Sequence, residues 1–464
     1  MMTPTETNGS SNNKHNDKDE ENDDDLSSLG DTSPLQATQA HHQKRLQKCR
    51  RNVTLSFIFV YVLVYNSLSS NPMSTSNITT VDKDFRALNN TDLWTFEIQH
   101  TQHLASNIAR IYRPVPPSVW CIDGRLKAEQ GKRRPMGLSY LKIPRAASTT
   151  LAGVNQRIAK NFAHRQDLPT SCIRHDGHVP GMYYSKRDPL SYLWTFVRDP
   201  SSRAMSRVAR TLSKPETKPT RSNSTKRALN ISKVLQTLKT SRDVQFGAIS
   251  MGRGGFQLQY SMLTIIDKWS AWNASDPTRI INPRQVQRHV QQVIEGYDFI
   301  GVVERLDESL VALQLLLGLE TSDILHFSSH TSPLYERRQV PKKADTFVCQ
   351  QPLDWRPLMT ANPALQSYLT SPEWFAENYG DYLLYQAANQ SLDRTIMRLG
   401  LDVFSIALKE FRSLQQHAHE VCHPIFPCSL NGTDQWELSQ TNCYFDDVGC
   451  GYPCLDELAT AAEV

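Results

Sequence analysis

Three stretches of the chain repeat one pattern: a short apolar run, a polar or small-residue break, then apolar positions at helical spacing. Residues 137–143 (GLSYLKI) predict a buried strand, and 144–150 (PRAASTT) a loop of small and hydroxyl residues. Leu151, Val154 and Ile158 then mark the inward face of a helix. In the second unit, 193–197 (LWTFV) predicts a strand that Arg198 ends. Asp199 and Pro200 read as an N-cap and a first-turn proline, opening a helix with Met205, Val208 and Leu212 inward. The third runs from 297–303 (YDFIGVV) through Glu304 into a helix carrying Leu310, Leu313 and Leu317. Strands alternating with helices predict an α/β fold with a mainly parallel sheet. Beyond Trp374 the pattern is helical, through Leu383, Ala387, Met397 and Phe404.

The chain ahead of these units differs in texture. Residues 1–51 are polar and acidic until Lys44, Arg45, Lys48, Arg50 and Arg51, and predict a disordered arm. The uncharged run 53–68 (VTLSFIFVYVLVYNSL) follows those cations directly. As a helix of roughly 24 Å it predicts a short single membrane span, placed at 52–70, with its N-terminal side cytoplasmic. A buried strand or core helix is the competing reading of the same run. Residues 71–117, rich in Ser, Thr and Asn, predict a lumenal stem, 118–415 the main domain, and 416–464 a cysteine-rich tail. N-x-S/T triplets beyond the span begin at Asn77, Asn89, Asn223, Asn230, Asn273, Asn389 and Asn431; Asn8 and Asn52 also match. Of nine cysteines, Cys49 falls on the cytoplasmic side, leaving an even eight for an oxidising lumen.

Composition sharpens this division. Apolar residues make up 39% and mean hydropathy is −0.48, which excludes a protein of many membrane spans. The net charge of +4 is too small for a nucleic-acid binder. It hides an acidic arm on a basic remainder, with 11 Lys/Arg between Asp199 and Asp243. That segment reads as a solvated loop and helix or as a cationic rim for a polyanion.

A small-residue loop between a strand and a helix aims backbone N–H groups and a helix N-terminus at one point, which suits phosphate or sulfate. The G-x-x-x-x-G-K-S/T nucleotide signature is absent. Ala146 and Ala147 allow close approach, Ser148, Thr149 and Thr150 bring hydroxyls, and Lys142 and Arg145 bring charge. An ordinary helix start would look the same. Arg198 at the end of the second strand, with Ser206 two turns on, offers a second anion position.

These residues resemble a known family. KIPRAASTTL (142–151) is similar to the 5′-phosphosulfate loop of Golgi membrane-bound carbohydrate sulfotransferases, and TFVRDPSSRAMS (195–206) to their 3′-phosphate motif, with its R-D-P-x-x-R-x-x-S spacing. FIGVVERLDESLVALQLLLGL (299–319) looks like the segment that follows it, and Gly177-His178-Val179 like the G-H-V of uronyl 2-O-sulfotransferases. Similarity extends to the galactose 3-O-sulfotransferases, and covers roughly residues 136–320.

The resemblance implies a P-loop-kinase-like fold and 3′-phosphoadenosine 5′-phosphosulfate (PAPS) as sulfuryl donor. It further implies a glycan acceptor, with anionic polysaccharides in the range, no metal, and a single-pass Golgi membrane protein. Donor binding would fall to Lys142, Arg145, Ala146, Ala147, Ser148, Thr149, Thr150, Arg198 and Ser206. His178 would be the general base, with Arg145 and Lys142 at the leaving group. Arg145 departs from the family lysine; it keeps the charge but hardly donates a proton.

Rival readings remain. His178 also fits a histidine hydrogen-bonded near a loop, and Cys172, His175 and His178 share a ligand-like spacing. Glu304 fits a helix-dipole acid as well as a site contact. A glycosyltransferase would need a D-x-D, whose one match beyond the span is Asp82-Lys83-Asp84. A non-catalytic glycan-binding ectodomain fits the span, the triplets and the cysteines.

Overall fold

The computed structural model describes residues 90–123, 135–168, 172–178, 184, 187–212, 230–247, 283–327, 336–339, 347–350, 355–422 and 452–461. The chain divides into two units, 1–86 and 87–464, and every described residue lies in the second. The arm, the 52–70 span and Asp82-Lys83-Asp84 fall outside the described residues. Among those described, no helix is long and apolar enough to cross a membrane.

The first element is a helix, α1 (Asn90–Ile108), followed by the short α2 (Pro117–Trp120). The sheet then begins: β1 (Gly137–Leu141), α3 (Ser148–Arg165), β2 (Arg174–Gly177), β3 (Ser191–Val197) and α4 (Pro200–Leu212). After α5 (Ile231–Gly247) and α6 (Pro283–Gly296) come β4 (Phe299–Val302) and α7 (Leu306–Leu317). The four strands are parallel in the order β2-β1-β3-β4. Every residue of β1, β3 and β4 is buried, the continuous burial expected of a parallel sheet covered by helices on both faces. The three expected strands are present, and Leu151, Val154 and Ile158 of α3 are fully buried.

β2 had no sequence signal, because its residues RHDG are half-buried and polar. It is held as an edge strand by register with β1, Leu138 to Arg174 through Leu141 to Gly177. Two glycines are fixed by close packing. Gly137 has φ 71°, and a Cβ there would lie 2.2 Å from the Ile173 carbonyl oxygen. A Cβ on Gly301 would lie 2.5 Å from the Phe196 ring.

The remaining elements are β5 (Glu336–Gln339) paired antiparallel with β6 (Phe347–Gln350), then α8 (Arg356–Ala361), α9 (Pro363–Leu369), α10 (Pro372–Glu377), α11 (Tyr379–Leu399), α12 (Leu401–Val421) and α13 (Tyr452–Ala461). The apolar face of α4 does not join the main core. Met205 and Val208 pack with Val234, Leu238, Leu365 and Trp374 in a separate cluster. Leu383, Ala387 and Phe404 are buried as expected, but Met397 is 61% exposed, because it lies off the buried stripe of α11 that runs through Ala388, Leu392 and Ile396.

Two boundaries differ from those read in the sequence. Residues 90–117, assigned to the stem, belong to the folded body. Glu97 of α1 is fully buried, accepting from the Tyr379 hydroxyl at 2.5 Å and from Gln287 at 2.7 Å, and Ala105 and Tyr112 lie in the core. The stem reading counted polar residues as exposed, and here Glu97 and Thr101 are the buried ones. At the other end, α12 runs through 415/416 without a break. Cys422–Cys454 ties the end of α12 to α13, and Asp456 pairs with Arg157 and Lys160 of α3. A second disulfide joins Cys121 to Cys172, and Cys349 is also disulfide-bonded. Of the N-x-S/T sites, Asn389 donates to the Tyr385 carbonyl inside α11 and Ser391 is fully buried, so this triplet serves packing.

Because the Phe196 ring fills the space over Gly301, Gly301→Ala should cost about 1–3 kcal/mol of stability by overpacking, read as a lower urea midpoint. An unchanged midpoint would show that the sheet yields there.

Candidate anion site at the sheet switch point

From β1 the chain crosses to β2 on one flank, and from β3 it goes on to β4 on the other. In open parallel sheets the crevice for ligands lies at such a switch point, outside the strands' carboxyl ends. Here it lies between the ends of β1 and β3, where the loop at 142–147 and Arg198 and Asp199 emerge.

The loop has an unusual backbone. Arg145 (φ 69°) and Ala147 (φ 53°) are left-handed without being glycine. Each costs about 1–2 kcal/mol and persists only where its surroundings fix it. The second unit supplies that fixation. Arg203 Nε donates to the Pro144 carbonyl at 3.2 Å, and Arg198 Nη1 to the Arg145 carbonyl at 3.1 Å. In return Arg145 Nη2 donates to the Ser206 carbonyl at 3.2 Å. Arg145, Arg198 and Ser206, named separately from sequence, therefore form one contact chain.

Helix α3 starts from this loop without a side-chain cap. Its N-cap is Ala147, which has no acceptor, and its first turn holds no acid. The first intrahelical bond is Leu151 N–H to the Ala147 carbonyl at 3.0 Å. The N–H groups of Ser148, Thr149 and Thr150 thus precede the helical ladder, at the positive end of an 18-residue helix. Ala146, Thr149 and Thr150 are buried, while Ser148 is half-buried, so Ser148 has the most accessible hydroxyl of the three. The second helix is different: Asp199 Oδ1 accepts from Ser202 N–H at 2.7 Å, the N-cap the sequence predicted.

Lys142 and His178 lie together on the β2 side. Lys142 is buried, with Nζ 3.9 Å from Asp176 Oδ1 of β2. His178, exposed just past β2, places Nδ1 2.8 Å from the Lys142 carbonyl oxygen. A carbonyl only accepts, so Nδ1 carries the proton and Nε2 is the basic nitrogen of the neutral ring. Cys172 is bonded to Cys121 and is not a thiolate, which removes the first member of the Cys172, His175, His178 ligand reading. Among the described residues no group of metal-ligating side chains is present.

Several residues here had no role in the sequence reading. Arg203 is almost fully buried, and burial lowers its guanidinium to about 10, while Asp381, itself buried, stands 3.6 Å from Nη1 and opposes that shift. Burial also lowers Arg198, with Glu304 opposing and Arg356 reinforcing the shift. The Arg198 guanidinium lies 5.5 Å from the centre of the Trp355 ring. Arg203 was visible as the second arginine of R-D-P-x-x-R; Trp355, at the N-cap of α8, Arg356 and Asp381 lie far along the chain, where no local spacing connects them to it. Comparison with family models, curated proteins and solved structures finds no match to this chain.

Arg203→Met should leave Asp381 buried beside an apolar chain and cost about 3–5 kcal/mol. Adding Asp381→Leu should recover much of that loss in chemical denaturation; full additivity of the two changes would refute the coupling.

Proposed function

We propose that the chain is a PAPS-dependent carbohydrate O-sulfotransferase of P-loop-kinase-like fold. The observation that carries this reading is the strained 142–147 loop at the switch point, opening an uncapped helix and held by Arg198 and Arg203 of the second unit. A helix start lacking both cap and acid fits a group that brings its own negative charge. The donor would supply an activated sulfuryl group on a phosphate leaving group.

In this reading the N–H groups of residues 148–150, with the Ser148 hydroxyl, bind the 5′ end of the donor. They stabilise negative charge on the departing phosphate oxygen without reorganising. Arg145 adds a fixed positive charge beside them and, as a guanidinium, leaves proton transfer to solvent or another group. Arg198 meets the 3′-phosphate in a charge-assisted pair, and Ser206, one helical face further, adds its hydroxyl. His178 Nε2 takes the proton of the attacking sugar hydroxyl as the oxygen–sulfur bond forms and the sulfur–phosphate oxygen bond breaks. The Lys142 carbonyl keeps Nδ1–H in place for that role.

The Golgi lumen, the type II anchor at 52–70 and a glycan acceptor, including an anionic polysaccharide, belong to the same proposal. Two disulfides among the described residues support an oxidising compartment.

Arg198→Ala should abolish binding of adenosine 3′,5′-bisphosphate by calorimetry; undiminished affinity would count against the assignment. His178→Ala should keep that binding while turnover with PAPS and an acceptor glycan falls by about 10²-fold or more. Turnover at the wild-type level would make His178 a loop-packing residue.

A further inference from the structure

The two helix starts at the switch point are unequally neutralised. At α3 the N-cap residue, Ala147, makes no side-chain cap and no acid stands in the first turn. At α4 a carboxylate from the third unit is already in place. Glu304 follows β4, and its two oxygens accept the Asp199 N–H at 3.3 and 3.2 Å. Its Oε1 lies 3.7 Å from Arg198 Nε, and the Tyr385 hydroxyl bonds to the same carboxylate. A backbone N–H at a helix start together with a guanidinium is the donor set that suits a phosphate.

We propose that Glu304 is a resident carboxylate on the Arg198 anion position, competing with a phosphate there and setting its affinity. The inference rests on the donor site described above and adds to it the residue that opposes binding. Burial supports the idea from both sides. It raises the Glu304 carboxyl and lowers the Arg198 guanidinium, so each charge is desolvated and each is partly compensated by the other. A dianionic phosphate brings more charge to Arg198 than one carboxylate does, and Arg356, which also acts on Arg198, favours the exchange. Asp199 opposes it, since its carboxylate, which caps α4, also puts negative charge near Arg198. Glu304 therefore acts through Arg198, as a residue that sets the affinity of that position.

The sign of a charge-removing substitution separates this role from a purely structural one. Glu304→Gln keeps the shape and an oxygen for the Asp199 N–H. Adenosine 3′,5′-bisphosphate titrated calorimetrically into the full chain should bind Glu304→Gln roughly three- to tenfold tighter than wild type. Glu308→Gln removes the same charge one turn further on, where Glu308 pairs with Arg305, and should change affinity by less than about twofold. Glu304→Asp, whose shorter side chain withdraws from Arg198, should shift affinity in the same direction as Glu304→Gln, so that the result does not depend on one variant folding. Wild-type binding with unchanged or weaker binding by both Glu304 variants would overturn the inference and leave the donor site standing. Equal tightening by Glu308→Gln would also overturn it, as a general charge effect. Absence of binding by every form would remove the donor site and the inference together.

Discussion

Two arginines of one strand–helix unit hold the neighbouring unit's loop by its carbonyl oxygens, and the rest of the site depends on that grip. Arg203 takes the Pro144 carbonyl and Arg198 the Arg145 carbonyl. Both guanidiniums are desolvated to do so, and both are answered by acids from elsewhere in the fold, Asp381 on α11 and Glu304 after β4. The loop can then hold two non-glycine residues in left-handed conformations, and α3 can begin on an alanine. Without the grip, the cheaper arrangement would be a relaxed loop and an ordinary capped helix.

This arrangement links sheet order to chemistry. The carboxyl ends of β1 and β3 are neighbours because the two strands pair, and the chain departs from them in opposite directions. That adjacency lets Arg145 reach Ser206 and Arg198 reach back to Arg145, across more than fifty residues of sequence. On the other flank, β2 delivers His178 to the Lys142 carbonyl, which fixes its tautomer. The basic nitrogen and the uncapped helix start thus sit at either side of one loop. Such a pairing suits transfer of an anionic group to a hydroxyl.

Much of the α/β core was legible because its strands are short apolar runs bounded by turn residues and its helices carry regular apolar spacing. The Asp199 cap and Pro200 start were readable for the same local reason. What escaped was polar and long-range. β2 is four polar residues that become a strand only against β1, and α1 hides its contribution in buried Glu97 and Thr101. The loop residues 142–150 and Arg198 were readable from small-residue and charge patterns, but their partners were not. Trp355 and Asp381 meet Arg198 and Arg203 only once the late helices fold back. The sequence also treated Ser148, Thr149 and Thr150 as equivalent, whereas burial leaves Ser148 the most accessible.

The central claim is that the uncapped start of α3 and the Arg198 position bind one bisphosphorylated nucleotide at the switch point. Amide hydrogen exchange with and without adenosine 3′,5′-bisphosphate tests it most directly, because the proposed ligands are largely backbone N–H groups. The account predicts slowed exchange concentrated at residues 146–151 and 198–206. Unchanged exchange in those two segments at saturating nucleotide, or protection confined to other parts of the chain, would contradict it.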